Sequence, residues 1–97
     1  SGGEQRMLTL ARVLVIEPRV LIADELSLGL APIITTEVYL VLERILGTGT
    51  GLLVVEQHLE HALGIAHEVV ALERGTVSFR GSPDEIDESA SFFLSST

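Results

Sequence analysis

Val20-Leu21-Ile22-Ala23-Asp24-Glu25 is the stretch that decides the fold. Four apolar residues without polar alternation describe a short strand covered on both faces, as in a parallel sheet. The run ends abruptly in two carboxylates. A strand that carries two acids to its tip suits nucleotide hydrolysis. One carboxylate can hold Mg²⁺ through water, because that ion keeps much of its hydration shell. The next residue points elsewhere and can polarise an attacking water. The plain alternative is a buried strand ending in solvated loop acids, and these six residues leave both open.

Working outward, a loop over residues 26–31 contains Gly29, and Pro32 fits the first turn of a helix. That helix runs to about Leu46, with Val38, Leu42, Ile45 and Leu46 on one face. Gly47, Gly49 and Gly51 form a flexible turn. Leu52-Leu53-Val54-Val55 is a second buried strand, with Glu56-Gln57-His58 at its C-terminal end. A short helix over 59–66 follows, then strands over 68–73 and 76–80 joined by a tight turn at Arg74-Gly75. Ser82-Pro83-Asp84-Glu85 reads as a helix start, with Ser82 as cap. The serine-rich tail from Ser89 carries Phe92, Phe93 and Leu94, which can dock on a surface. Upstream, Ser1 and Glu4 have capping-box spacing. Met7, Leu8, Leu10, Ala11, Leu14 and Val15 recur at helical spacing, which predicts one buried face before Glu17-Pro18 stops the helix. Strands alternating with helices, then a hairpin, make an α/β pattern. Function in such sheets sits at the C-terminal ends of parallel strands. Asp24-Glu25 and Glu56-Gln57-His58 both fall there.

The chain has 97 residues, no cysteine, 46% hydrophobic residues and a mean hydropathy of +0.45. That is apolar for a free-standing domain of this size, and suits a piece whose surface meets partners. The absence of cysteine excludes disulfides and zinc-thiolate sites. Net charge is −8, with six arginines and no lysine. No basic patch for a nucleic-acid partner is present. The acidic run Asp84, Glu85, Asp87 and Glu88 reads as a solvated helix or turn. No apolar stretch approaches the roughly 20 residues of a spanning helix, so any membrane role passes through a partner protein. Nor is there a signal peptide, and Ser1 does not look like a natural start.

Two further constellations carry chemistry. In Ser1-Gly2-Gly3-Glu4-Gln5 the glycines let backbone amides approach a ligand, and the helix start favours an anion such as phosphate. An ordinary capped helix after a glycine turn explains the same residues. His58 stands at the tip of the second strand, where a catalytic histidine or a plain surface histidine both fit. His58 and His61 are three apart, but no third ligand stands at metal-site spacing.

In this order, the segments resemble the ATP-binding subunits of ABC transporters. Ser1-Gly2-Gly3-Glu4-Gln5 resembles the signature motif without its usual preceding leucine. Residues 20–24 resemble Walker B, followed by the general base at Glu25. Ser27-Leu28-Gly29-Leu30-Ala31-Pro32 resembles the D-loop, and His58 the switch histidine. The hairpin over 68–80 and Gly81-Ser82-Pro83-Asp84-Glu85 resemble the end of the conserved domain. The string Ser27-Leu28-Gly29-Leu30-Ala31-Pro32, together with Val55-Glu56-Gln57-His58, is similar to the branched-chain amino acid uptake group and its relatives, including urea importers. Leu26, where proline usually follows the two acids, is a departure that alters loop stiffness and no reacting group.

The resemblance implies an α/β, P-loop NTPase fold, of which residues 1–97 are the C-terminal portion. It implies two such domains closing head to tail on ATP and Mg²⁺. Ser1, Gly2, Gly3, Glu4 and Gln5 would meet ATP held by the opposite subunit. Asp24 would hold Mg²⁺ through water, Glu25 would act as base, and His58 would sense the γ-phosphate. The partners implied are a second ATP-binding subunit, transmembrane permease subunits and, indirectly, a periplasmic or extracellular solute-binding protein. The place implied is the cytoplasmic face of the cell membrane.

No Gly-x-x-x-x-Gly-Lys-Ser/Thr string occurs in residues 1–97. The phosphate-loop strand is therefore missing, and the piece by itself is expected to be inactive. From the family's sheet, that strand is expected between residues 20–24 and 52–55, so its loss would leave two open edges. The piece then belongs to a longer molecule or associates with copies of itself. A non-catalytic, self-associating interaction module is the alternative reading. A DNA-maintenance ATPase of the same superfamily is disfavoured by the acidic charge and by Ala31-Pro32.

Overall fold

The computed structural model describes residues 2–87. Ser1, Glu88 and the tail with Phe92, Phe93 and Leu94 lie outside the described residues, so their expected phosphate, surface and docking roles are not addressed by it. In chain order the elements are helix α1 (Gly2–Ile16), strand β1 (Val20–Asp24), helix α2 (Pro32–Gly47), strand β2 (Gly51–Val55) and short helix α3 (Glu60–Ile65). Strands β3 (Val69–Glu73) and β4 (Thr76–Gly81) follow, then a 3-10 helix, Pro83–Asp87. They fall into two compact units, Ser1–Ala62 and Leu63–Thr97.

The first unit is built on α2. Its apolar spacing buries Val38, Tyr39, Leu42 and Ile45 on one stripe. Pro32 begins the helix, and the Thr48 N–H and hydroxyl both reach Ile45 O at its end. The buried Thr50 hydroxyl then donates to Pro18 O at 2.8 Å, tying the turn before β2 to the turn before β1. α1 packs on α2 and stops before Pro18, where Glu17 turns out with φ 51°. Its buried face is narrower than its sequence predicts. Leu10 is buried, and Met7 and Leu14 are half-buried, but Leu8, Ala11 and Val15 are exposed. One packing neighbour covers one strip of a helix and no more.

β1 and β2 pair directly, in parallel, from Val20↔Gly51 to Asp24↔Val55. This overturns the expectation of a missing strand between them. The ladder continues past both ends, through Gly51 N–H to Arg19 O (2.7 Å) and Glu25 N–H to Val55 O (2.8 Å). The expected burial on both faces is corrected as well. Ala23 is buried and Leu21, Leu52 and Val54 half-buried, while Val20 (62%), Ile22 (65%), Leu53 (54%) and Val55 (46%) are exposed. Alternation and register put those four on one face. An unbroken apolar run asks for cover on two sides, and residues 2–87 supply it on one.

The second unit is a β3–β4 antiparallel hairpin with a bulge at Ala71/Leu72. Arg74 and Gly75 both take positive φ (49° and 78°), as the two-residue turn of twisted hairpins requires. At Ser82 the N–H and the hydroxyl both donate to Glu85 Oε1, at 3.4 and 3.3 Å, so these bonds run from the serine to the glutamate and not from a helix N–H to the serine hydroxyl. The segment that follows is a 3-10 helix, with Ile86 buried. Among the described residues no helix is long and apolar enough to cross a membrane.

Gly3 is buried where α1 begins, and a Cβ there would sit 2.9 Å from Ile34 Cγ2 and 3.8 Å from Leu30 Cδ2. The branched Ile34 side chain has little rotamer freedom on a helix with which to yield. Gly2 has open space apart from the flexible end of Arg6. Gly3→Ala is therefore expected to lower stability by about 1 kcal/mol, overpacking outweighing the gain in helix propensity. Gly2→Ala is expected to be neutral or stabilising. Urea unfolding midpoints of the two variants check the contrast.

Candidate functional site

The parallel ladder sets the tips of β1 and β2 side by side. Asp24 ends β1 on the uncovered sheet face, exposed to solvent. Glu25 follows with φ 52°, a left-handed conformation that side-chain-bearing residues adopt seldom and that clusters at functional sites. Glu25 is half-buried where Asp24 is exposed, so the two neighbouring acids have different surroundings. The loop beyond is ordered by short turns: Leu28 N–H donates to Glu25 O and Leu30 N–H to Ser27 O, both at 3.1 Å. Leu30 then lies beside Gly3, so the start of α1 packs against the loop that leaves Glu25.

From β2, strand parity continues past Val55. Glu56 shares parity with Leu52 and Val54 and is half-buried. Its Oε2 accepts a 2.5 Å hydrogen bond from the Tyr39 hydroxyl on α2. Gln57 Nε2 donates to Glu25 Oε1 at 3.3 Å, joining the two tips through side chains as well as backbone. His61 on α3 stacks on the Tyr39 ring, with centroids 5.2 Å apart, and its Nε2 is 3.2 Å from Thr36 Oγ1.

The structure therefore brings Asp24, Glu25, Glu56 and Gln57 together and sets Gly3 beside their loop. His58 is exposed and makes no hydrogen bond or ion pair among the described residues. Gly2, Glu4 and Gln5 are exposed on the first turn of α1. No group of three His, Asp or Glu among the described residues could enclose a metal ion. The donor chemistry at Asp24 fits Mg²⁺ of the kind held by one carboxylate, water and a bound phosphate.

Tyr39, His61 and Thr36 were not singled out from the sequence as parts of this site. A signal was present: Tyr39 stands on the buried stripe of α2, and a buried phenol needs a polar partner. Burial pushes the Tyr39 hydroxyl far above its ordinary range, and the hydrogen bond to Glu56 and the charge of Glu56 push it the same way. The phenol stays a donor across the working pH range.

No protein-family model matches the chain. Among curated proteins it is similar to the high-affinity branched-chain amino acid transport ATP-binding protein BraG of Pseudomonas aeruginosa. Identity is 42% over 77 residues, covering 79% of this chain and 33% of that protein. It is also similar to the lipopolysaccharide export system ATP-binding protein LptB of Acidithiobacillus ferridurans: 35% over 86 residues, covering 89% of this chain and 36% of that protein. The chain spans about a third of the length of these relatives. Among solved structures, the ADP conformation of an ATP-binding cassette of an ABC transporter superposes with a TM-score of 0.81 at 23% identity, covering 94% of this chain and 36% of that one. The cbiO1 protein from Clostridium perfringens, part of the ABC transporter complex cbiONQ, gives 0.77 at 27%, covering 93% and 36%. The fold is that of part of an ABC ATPase domain.

Tyr39 is the one tyrosine in a chain without lysine, cysteine or tryptophan, so it titrates alone in alkali short of the arginines. Its folded-state value lies above the ordinary value of about 10, so the folded state holds this proton more tightly than the unfolded state. The stabilisation is complete below about pH 10 and declines as pH rises further. Tyrosinate absorbance of the 97-residue chain should rise together with loss of helical circular dichroism. A midpoint near the ordinary value with the fold intact would contradict the buried Tyr39–Glu56 contact.

Proposed function

Starting from relatives and structural neighbours that are ATP-binding subunits of ABC transporters, we propose that residues 1–97 are the C-terminal portion of such a subunit's ATP-binding domain. In the proposed role the complete protein hydrolyses ATP to drive an importer of branched-chain amino acids or a related small solute. The observation that carries this reading is the pair of adjacent carboxylates, exposed Asp24 and half-buried Glu25, at the tip of a parallel strand hydrogen-bonded to its neighbour. The importer assignment draws on the similarity to BraG.

Asp24, exposed at the tip, would hold Mg²⁺ through water. When bound, Mg²⁺ neutralises charge developing on the phosphates. Glu25 would orient or deprotonate the attacking water, its carboxylate steadied by Gln57. His58, free at the surface, would contact the γ-phosphate. The N-terminus of α1, with Ser1, Gly2, Gly3, Glu4 and Gln5, would offer backbone N–H groups to ATP held by a second subunit. Loop 27–31, packed against that helix start, would cross between subunits and couple the two sites. Closing on ATP and opening after hydrolysis would move permease subunits in the membrane between two access states, which places this subunit at the cytoplasmic face. Residues 1–97 hold no phosphate loop and no lysine, so they do not complete an ATP site by themselves.

A second reading, a self-associating interaction module, has its own support in the uncovered face of Val20, Ile22, Leu53 and Val55. Contiguous exposed apolar surface of this kind marks an interface.

Two measurements separate these roles. Glu25→Gln in the complete protein should leave ATP binding and subunit association in place while lowering turnover by about 10²-fold or more. Unchanged turnover would remove Glu25 from the role of base. The 97-residue chain should show no ATP turnover and should sediment as a multimer. A monodisperse, cooperatively unfolding monomer would end the self-association reading.

A further inference from the structure

Tyr39 lies 3% exposed on the core stripe of α2, next to Val38 and one turn before Leu42, both fully buried. Its position is set by the packed core of the first unit. Its hydroxyl nevertheless reaches out of that core to Glu56, the first residue beyond β2. Thr36, one helical turn earlier on α2, meets His61, whose ring stacks on Tyr39. One face of α2 therefore grips the chain at residues 56 and 61, bracketing the segment 57–60. Within that bracket Gln57 follows Glu56 directly and donates to the Glu25 carboxylate. Glu25 is held a second time by its backbone N–H on Val55 O.

We infer that Tyr39 is a positioning residue for Glu25, acting through Glu56 and Gln57. This inference rests on the ATPase reading above and adds Tyr39 and Glu56, which that reading leaves without a role. The phenol fixes where β2 ends. The end of β2 fixes where the Gln57 amide points, and the amide selects one orientation of the Glu25 carboxylate. Without the phenol, Glu56 turns to water, the segment 56–58 loses its link to the core, and the Glu25 side chain samples orientations unsuited to a bound water. Misplacement of a reacting group by a fraction of a bond length is sufficient to slow chemistry without weakening substrate binding.

The test uses the complete protein that contains this chain, with steady-state ATP turnover and nucleotide affinity measured in parallel. Tyr39→Phe keeps the ring and its stacking and removes the hydroxyl. Gln57→Ala alters an exposed side chain and leaves the core untouched. Each is expected to lower kcat about tenfold with KM for ATP unchanged, the loss of one hydrogen bond to a charged group. The double variant is expected to be no slower than the slower single one, because both changes break the same line. Glu56→Gln, which keeps an acceptor for the phenol, should retain more activity than Tyr39→Phe. Multiplicative losses in the double variant, a rise in KM in place of a fall in kcat, or wild-type turnover in Tyr39→Phe would each overturn the positioning role. A complete wild-type protein without ATP turnover would instead overturn the ATPase reading, and this inference with it.

Discussion

The hydrogen-bond ladder between two five-residue strands governs the rest of this structure. It places Asp24 opposite Val55 and continues one rung further, from Glu25 N–H to Val55 O. A slip of one residue would reverse the faces of every side chain on one strand. A slip of β1 would take Ala23 out of the core and exchange the surroundings of the two acids, and a slip of β2 would take Glu56 from Tyr39. The register is held at the other end by Thr50 on Pro18 O and Gly51 N–H on Arg19 O. A small apolar core beneath, from Val38 to Ile45, would by itself tolerate more slack than these bonds allow.

That core has a second duty through Tyr39. Most of the α2 stripe is aliphatic and serves packing alone. Tyr39 occupies the same stripe with a polar end, so the stripe both fills space and orients Glu56. The core and the site therefore share a residue.

Much of this was legible in the residues. Unbroken apolar runs gave the two strands, and 3.6-residue spacing with Pro32 gave α2 almost to its last residue. Arg74-Gly75 gave the hairpin turn. The polar strand tips located the candidate site. Three things were not legible. An apolar run states that a strand wants cover on two faces but not whether the cover lies within the same 97 residues, so the exposure of Val20 and Ile22 was missed. Strand order is a long-range property, and the direct pairing of β1 with β2 leaves no local trace in either strand. The contact of Tyr39 with Glu56 spans 17 residues, a separation that periodicity does not encode. His58, chosen by its place in a motif, stands apart from the contacts that Gln57 makes next door.

Glu25 carries one more implication. Its left-handed backbone is a conformation that glycine, asparagine and aspartate accept more readily than glutamate does, at a difference of about 1 kcal/mol or more. Selection for a sturdier protein would therefore push this position away from glutamate, and only the proposed role in turnover would hold it there. If the proposed role of Glu25 holds, a copy of the gene released from the second pressure would be expected to drift at residue 25 toward a residue that accepts this backbone more readily.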